Sequence, residues 1–526
     1  MFRVLVTEPL ADEGMKVLQA SADVDVRPAM TPEELAPLIG PYHGLVVRSR
    51  TQVTDAVLSR APNLVVIGRA GTGVDNIELE AATRRGVVVV NAPFGNTVSV
   101  AEHALGLMLA LARHIPRADA ALRQGSWLKQ GCEGVQLRGK TLGIVGLGRV
   151  GAALARRAVG LEMQVVAYDA FVTPERALQL GATWLPLDEL LQTADFVSLH
   201  LPDTEQTRGV IGRRELRLMK GTAYLINCAR GSLIDEEALA EALGDGRLAG
   251  AGLDVFSCEP LTEGAILGSD RVVLTPHLAG ATAEAQRDTA LEVAHQVLDV
   301  LAGRLPRYPV NAPALPPDEL VEVGPYLDLA QRLGRFYAQY KGDHLRGLEV
   351  ACAGEVAVRR VEMIVASVLV GLLAGRAEEP VNWVNAAAVA RERGITVVSR
   401  NEPVHTTAGW ANLIEAHFRS ASEEHILAGT LLRGEPHIVR IDDFWLDFAA
   451  QGLLLVSEHI EQPGIIGRMG TLLGAADINI SFLQVGRHDR GGSGVMVLGV
   501  DDALSPKVLD QVLSLPSVRS AHMVRL

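Results

Sequence analysis

The sequence predicts an α/β chain: two doubly wound parallel-sheet lobes, followed by a mixed α+β segment and a small βαββαβ module. Three observations predict it. Short apolar runs alternate with helix-compatible stretches from the first residue to about residue 280, a GLGRVG loop at 146–151 joins an apolar run to a helix, and from Gln451 the periodicity reads strand, helix, strand, strand, helix, strand.

In the first lobe FRVLVT, GLVVRS, NLVVIGR and VVVVN read as buried parallel strands, separated by segments such as TPEELAPLI and DNIELEAATRRG. One long helix, SVAEHALGLMLALARHIPRADAALRQG, then leads into a second lobe with strands TLGIVG, QVVAY, DFVSLH, AYLINC, GAGLDV and RVVLTP. Two lobes imply a cleft between them. A further amphipathic helix, AEAQRDTALEVAHQVLDVLAG, and a proline-rich linker at 304–320 end the unit. Residues 320–450 mix helix-like and strand-like runs and carry no catalytic signature. The last segment supplies LLLVSEHI, PGIIGRMGTLLGAAD, INISFLQVGR, GVMVLGVD, KVLDQVLSLP and VRSAHMVRL, the ferredoxin-like order of strands and helices.

Composition narrows the function classes. With 526 residues and 48% apolar content the chain holds several cores, and a net charge of −13 with no long Lys/Arg block argues against nucleic acid. The N-terminus MFRVLVTEPLADEG lacks a signal-peptide pattern. The longest uncharged apolar stretch, MIVASVLVGLLAG at 363–375, is too short to span a bilayer and reads as a buried helix, so no membrane is expected. Cys132, Cys228, Cys258 and Cys352 form no CxxC pair and no metal-ligand spacing, so no metal is expected and a reduced, cytoplasmic enzyme fits. Cys228 and Cys258 read as small fillers at strand ends.

The glycine loop carries the first functional expectation. It is a strand, a turn and a helix in sequence: Gly146 permits the tight turn, Gly148 lets backbone N–H groups approach a pyrophosphate, and Gly151 lets the helix pack on the strand. A lone GxGxxG is weak in a chain with 52 glycines. Its context strengthens it, because QVVAYD ends in Asp169, 18 residues past Gly151, where a carboxylate accepts hydrogen bonds from ribose hydroxyls and repels a 2′-phosphate. NAD is therefore expected over NADP.

The second expectation is catalytic. Arg230 follows AYLINCA, Glu259 follows GLDVFSC and His277 follows VVLTP, all at the carboxyl ends of expected strands, the edge where doubly wound sheets bind ligands. The residue types suit hydride removal from a secondary alcohol. An imidazole takes the hydroxyl proton, a carboxylate fixes its tautomer, and a guanidinium fork holds a substrate carboxylate. Alone, each has a bland alternative: a surface Arg, a turn Glu before Pro, one of 14 histidines. Their joint placement favours function.

Together GLGRVG, NCARGSLID, LDVFSCEP and TPHLAGAT resemble the D-specific 2-hydroxyacid dehydrogenase family over about residues 1–310, and the insert and tail make the whole chain similar to its long, phosphoglycerate-oxidising branch. The resemblance implies a flavodoxin-like catalytic domain at 1–96 and 276–305, a Rossmann NAD-binding domain at 97–275, an intervening allosteric domain at 306–450 and an ACT regulatory domain at 451–526. It implies that Arg230 binds substrate, Glu259 orients the histidine and His277 is the acid/base. It sets Thr72, Arg149, Val150, Asp169, Cys228, Ala229, Arg230, Asp254, His277, Leu278, Ala279 and Gly280 near NAD. Leu201 stands where some relatives carry Thr, which leaves a backbone contact only.

The implied reaction is oxidation of 3-phospho-D-glycerate at C2, opening the route to serine. Its phosphate requires cations, for which Arg48 and Arg69 stand at first-lobe strand ends with Ser49 and Asn96 as neutral donors. In the tail the resemblance implies His459, Glu461 and Asn479 as ligands of an L-serine effector, with Glu461 where relatives often carry Asp or Asn. A homodimer or homotetramer is expected. Two rivals remain: a glyoxylate or hydroxypyruvate reductase, disfavoured by the cleft arginines and the C-terminal domains, and an NADH-sensing protein of the co-repressor type, disfavoured by the lack of a disordered interaction tail.

Overall fold

Runs of Val, Ile and Leu too short for helices become the strands of four sheets in the computed structural model, which describes residues 1–28, 30–312, 317–342, 344–354, 361–376, 381–402 and 410–526. The first sheet holds β1 (Arg3–Val6), β2 (Asp23–Val26), β3 (Gly44–Val47), β4 (Val66–Arg69) and β5 (Val88–Asn91), all parallel, in the order β2-β1-β3-β4-β5. Central β3 is buried throughout, as a strand covered on both faces must be. Edge strand β2 alternates Asp with Val and is half-exposed, so a search for apolar runs passes over it. The late helix Ala283–Leu301 returns to cover this sheet. A Cβ on Gly68 would lie 2.6 Å from both Val293 and Val297 of that helix, so the lobe closes only because β4 offers a glycine there.

The second sheet holds β6 (Thr141–Val145), β7 (Gln164–Tyr168), β8 (Thr183–Trp184), β9 (Phe196–Leu199), β10 (Tyr224–Asn227), β11 (Gly250–Leu253) and β12 (Val272–Leu274), again all parallel. Its order, β12-β11-β10-β9-β6-β7-β8, reverses direction beside β6. The glycine loop that follows β6 therefore opens at the switch point, where this topology forms its ligand crevice.

Two expectations change. The single long helix at the lobe junction is two, Thr97–Ala112 and Ile115–Arg123, bent by 63°. His114 takes a left-handed φ of 53° and Pro116 withholds the N–H that a continuous helix needs. The expected linker also ends early, because the helix Pro317–Tyr340 starts inside it. No single helix among the described residues is long and apolar enough to cross a membrane.

The third sheet, β13 (Gly347–Ala353), β14 (Thr396–Glu402), β15 (Leu413–Arg419), β16 (Glu424–Leu432), β17 (Glu435–Ile441) and β18 (Phe444–Ala449), is mixed, with the order β14-β13-β15-β16-β17-β18 and one parallel pair, β13 with β14. The apolar stretch near 363–375 is a helix, Val361–Leu373, as expected, buried except at Glu362. The fourth sheet, β19 (Leu453–Ile460), β20 (Ile480–Arg487), β21 (Ser493–Val500) and β22 (Val518–Arg525), is antiparallel in the order β20-β21-β19-β22, with helices Ile465–Ala475 and Pro506–Leu513 completing βαββαβ. Alternation along β19 divides its side chains. Leu455 packs under the tail's own helices, whereas Leu454 and Val456 join the core of Tyr337, Phe336 and Phe418 in the preceding segment. Middle and tail share one hydrophobic core.

Candidate active site

The glycine loop is built for a phosphate-bearing ligand. Gly146 sits at φ 99°, and a Cβ there would lie 2.6 Å from His200 O and 3.0 Å from the Leu201 side chain. At Gly151 a Cβ would overlap Gly146 O, so helix and turn could not approach. Gly148 differs: nothing lies within 4 Å of its Cβ position, which leaves the N-terminus of helix Arg149–Gly160 open. Val150 follows in its first turn, and the Arg149 guanidinium lies 4.2 Å from the ring centre of Phe94, across the cleft. Asp169 ends the crevice wall. Its Oδ1 accepts from Phe171 N and Val172 N, at 2.8 and 3.2 Å, and its Oδ2 from Leu147 N at 2.9 Å, so Oδ2 keeps a lone pair for a ribose hydroxyl. These residues fit a dinucleotide with a free 2′-hydroxyl.

His277 and Glu259 meet. His277 Nδ1 and Glu259 Oε2 are 2.8 Å apart, and Glu259 Oε1 accepts from Phe256 N at 3.0 Å. Both side chains are solvent-accessible. His277 has φ 55°, a conformation that costs energy in a non-glycine residue and persists only when its surroundings impose it. The imposing group is Asp254, fully buried. Its Oδ1 accepts from Thr275 Oγ1 at 2.5 Å and Leu278 N at 2.7 Å, and its Oδ2 from Ala279 N at 2.8 Å. Burial alone would raise the Asp254 pKa. Donation by His103, Thr275, Leu278 and Ala279 outweighs it and holds the carboxyl below the usual range. Asp254, expected near the cofactor, thus fixes the chain on both sides of the histidine.

Arg230 reaches the cleft from the end of β10. A Cβ on Gly231 would overlap Phe256 C, so only glycine lets the Arg230 segment lie against the one that carries Glu259. Asn227 ties the turn, its Nδ2 donating to Arg230 O at 2.8 Å and its Oδ1 accepting from Ala229 N at 3.0 Å. The Arg230 side chain crosses to the first lobe and donates from Nε to Asp75 Oδ2 at 2.9 Å. Arg69, the last residue of β4, joins it. Burial first, and then the Arg230 charge, push the Arg69 guanidinium down to about 10, and its buried Nε has no hydrogen-bond partner.

The remaining first-lobe candidates divide. Thr72 Oγ1 donates to Asn96 Oδ1 at 2.7 Å, and Asn96 Nδ2 lies 3.4 Å from the Cβ position of Gly280. Arg48 Nη1 makes a long 3.4 Å contact to Pro9 O, and Ser49 is exposed beside it. Cys228 is buried, and burial pushes its thiol up, which suits a filler rather than a nucleophile. Sequence reasoning missed His103, Asp75, Asn227 and Gly73. His103, Asp75 and Gly73 meet partners distant in the chain, which no local pattern signals, whereas Asn227 opens the NCARGSLID run and could have been marked there.

In the tail, one chain does not assemble the three effector candidates. His459 pairs with Gly494 at one end of the sheet, and Glu461 follows it, accepting from Gly491 N at 2.8 Å and pairing with Arg487. Asn479 precedes β20, whose first pair is Ile480 with Val500 at the opposite end, and it donates to Asp501 Oδ2 at 2.8 Å. Within one chain His459 and Glu461 therefore stand together and Asn479 apart, because β20 runs toward His459 from the far end of the sheet.

Residues 105–279 match the family model of the D-isomer specific 2-hydroxyacid dehydrogenase NAD binding domain, and residues 322–442 match that of the D-3-phosphoglycerate dehydrogenase intervening domain. Fold, crevice and match define an NAD-dependent oxidoreductase of the D-2-hydroxyacid class. The D-3-phosphoglycerate dehydrogenase of Archaeoglobus fulgidus is 41% identical over 528 residues, covering 100% of both chains, and that of Methanocaldococcus jannaschii is 40% identical over 527 residues with the same coverage. The solved structure of the TT0316 protein from Thermus thermophilus is 38% identical with a TM-score of 0.55 and covers 59% of this chain and 100% of its own. The chain belongs to the D-3-phosphoglycerate dehydrogenase family.

Proposed function

We propose that the chain oxidises the C2 hydroxyl of 3-phospho-D-glycerate to the ketone of 3-phosphohydroxypyruvate, with residues 1–96 and 276–305 forming the catalytic domain and 97–275 the cofactor domain. One observation carries the reading: a carboxylate-held imidazole, His277 with Glu259, stands at the same crevice edge as two neighbouring guanidiniums, Arg69 and Arg230. The substrate carries a carboxylate and a phosphate, two anions for two cations. Arg230 holds the carboxylate, Arg69 meets the phosphate with Arg48, Ser49 and Asn96 behind it, and His277 takes the hydroxyl proton at Nε2 while Nδ1 stays with Glu259. NAD, when bound, accepts the C2 hydride. Initial rates with NAD across 3-phosphoglycerate, glycerate, lactate and 2-oxoglutarate test the assignment. Equal kcat/KM for glycerate and its phosphate overturns the phosphate reading.

The same reading sets the enzyme in the cytoplasm as a homodimer or homotetramer at the entry to serine synthesis, with L-serine as feedback effector at an ACT-type tail. What supports the effector is His459, buried with neither ring nitrogen hydrogen-bonded, beside Glu461. A site that also used Asn479 needs two copies of the tail, in keeping with an oligomer. Serine titration of initial rates on the intact chain and on one cut within 304–320 tests it. Coupling of about 1–3 kcal/mol is expected in the intact chain only; equal responses of the two sink it.

A further inference from the structure

Arg230 and Arg69 place two cations side by side in a cleft where burial already disfavours one of them. Like charges at close range repel, and free side chains would move apart. Only one carboxylate is hydrogen-bonded to either guanidinium among the described residues: Asp75, on the loop after β4, accepts from Arg230 Nε at 2.9 Å and also favours the charged form of Arg69. The contact links the lobes, since Asp75 belongs to the first sheet's loop and Arg230 to the second sheet's edge.

We infer that Asp75 is a positioning residue that holds Arg230 in the orientation its substrate requires. The inference rests on the reading of Arg230 as the carboxylate clamp. The hydrogen bonds on the guanidinium carry it. Asp75 takes Nε–H and Ala229 O takes one proton of Nη1, at 2.7 Å, which leaves one donor on Nη1 and two on Nη2. Asp75 thus fastens the guanidinium from its side and leaves the outer Nη1–Nη2 fork for a planar carboxylate. Gly73 completes the arrangement: a Cβ there would overlap Arg230 Nη2 and lie 2.8 Å from Asp75 Oδ2, so the plane rests on bare backbone. Asp75 touches no reacting atom in this arrangement and acts through Arg230.

The test is a double-mutant cycle on the full-length enzyme with Asp75→Ala and Arg230→Lys, read as kcat and KM for 3-phosphoglycerate and as NAD binding by fluorescence titration. Lysine has no Nε–H at that position, so it cannot use Asp75. Expected are a loss of roughly tenfold or more in kcat/KM for Asp75→Ala with NAD affinity within about twofold, and a double variant within about twofold of Arg230→Lys alone. Asp75→Asn, which keeps a carbonyl acceptor for Nε–H, falls between parent and alanine. If alanine costs less than about fivefold, if NAD affinity falls in parallel, or if the two losses multiply, Asp75 does not act through Arg230. An Arg230→Lys variant with near-parental kcat/KM would instead remove Arg230 from the site and overturn the functional reading itself.

Discussion

The catalytic cleft and the joint between the middle and tail segments treat charge in opposite ways. At the joint and in the adjoining sheet, carboxylates are closed off: Glu458 accepts from the Tyr340 hydroxyl and from Lys341 Nζ, and Glu415 from His417 and Arg440. In the cleft, Arg69 keeps a buried unpartnered nitrogen beside a second guanidinium, and the His277–Glu259 pair stands open to solvent. An unpaired buried charge costs stability, so a chain that pairs Glu458 and Glu415 while leaving Arg69 without a carboxylate partner holds the cleft cation for a ligand. The contrast also separates two consequences of mutation. Changes in the cleft should remove activity and spare the fold; changes at the joint should do the reverse.

His277→Gln is the severest way to break that contrast. Glutamine retains a polar side chain but cannot take the hydroxyl proton, so kcat should fall by about 10²–10⁴-fold while the thermal midpoint stays near the parent's. Stopped-flow turnover and a melting curve decide it. A variant within tenfold of parental kcat would show that the cleft's open histidine is not the base. Asp169→Asn acts next, at the cofactor end. It weakens acceptance from the ribose hydroxyls and removes repulsion of a 2′-phosphate, so the ratio of kcat/KM with NAD to that with NADP should fall by roughly tenfold or more. An unchanged ratio makes Asp169 a brace for the Leu147, Phe171 and Val172 amides and nothing else.

What the sequence made legible follows the same division. The glycine loop, Asp169 and the strand-end positions of Arg230, Glu259 and His277 are local features, each carried by a run of a dozen residues, and the structure keeps them together at one sheet edge. How they are held in place was not legible, even where a holding group such as Asp254 was expected near the cofactor. Asp254 collects donors from His103 and from Thr275 to Ala279, and Asp75 meets Arg230 only because two lobes close on each other. The bend at His114 escaped because apolar periodicity continues through it while one positive φ and Pro116 redirect the chain. In the tail, strand order was readable from alternation. Which end of the sheet Asn479 occupies was not, since that depends on the direction of β20 against β21.

Glu259→Gln sharpens the cleft side. The glutamine's one carbonyl oxygen can accept from Nδ1–H or from Phe256 N but not from both, so an amide NH2 faces the other donor and the ring loses part of its hold. The kcat should fall by about tenfold, with NAD affinity within about twofold of the parent's. A variant with parental kcat, or one whose loss follows NAD binding, contradicts the dyad.

The smallest effect belongs to the joint, and its pH dependence is what tests it. Burial raises the Glu458 pKa, but hydrogen bonds from Lys341, at 2.6 Å, and from Tyr340 outweigh burial and hold the carboxyl below its ordinary value. A carboxylate whose pKa is lowered by folding stabilises the folded chain fully above its unfolded pKa, about 4.3 for Glu, and loses that contribution as pH falls through the folded value. Glu458→Gln keeps the shape and an acceptor but not the charge. At pH 7 the variant should lose about 1 kcal/mol, the scale of one charge-assisted contact at a partly buried site, with kcat within twofold because the joint lies outside the cleft. From about pH 5 downward, through the lowered folded value, the gap between parent and variant should narrow, since the unfolded parent takes up a proton there before the folded chain does. Urea titrations of both proteins across that range measure it. A gap that widens in acid, or a kcat that falls with stability intact, would mean that the joint carries function and that the two regions do not divide the work.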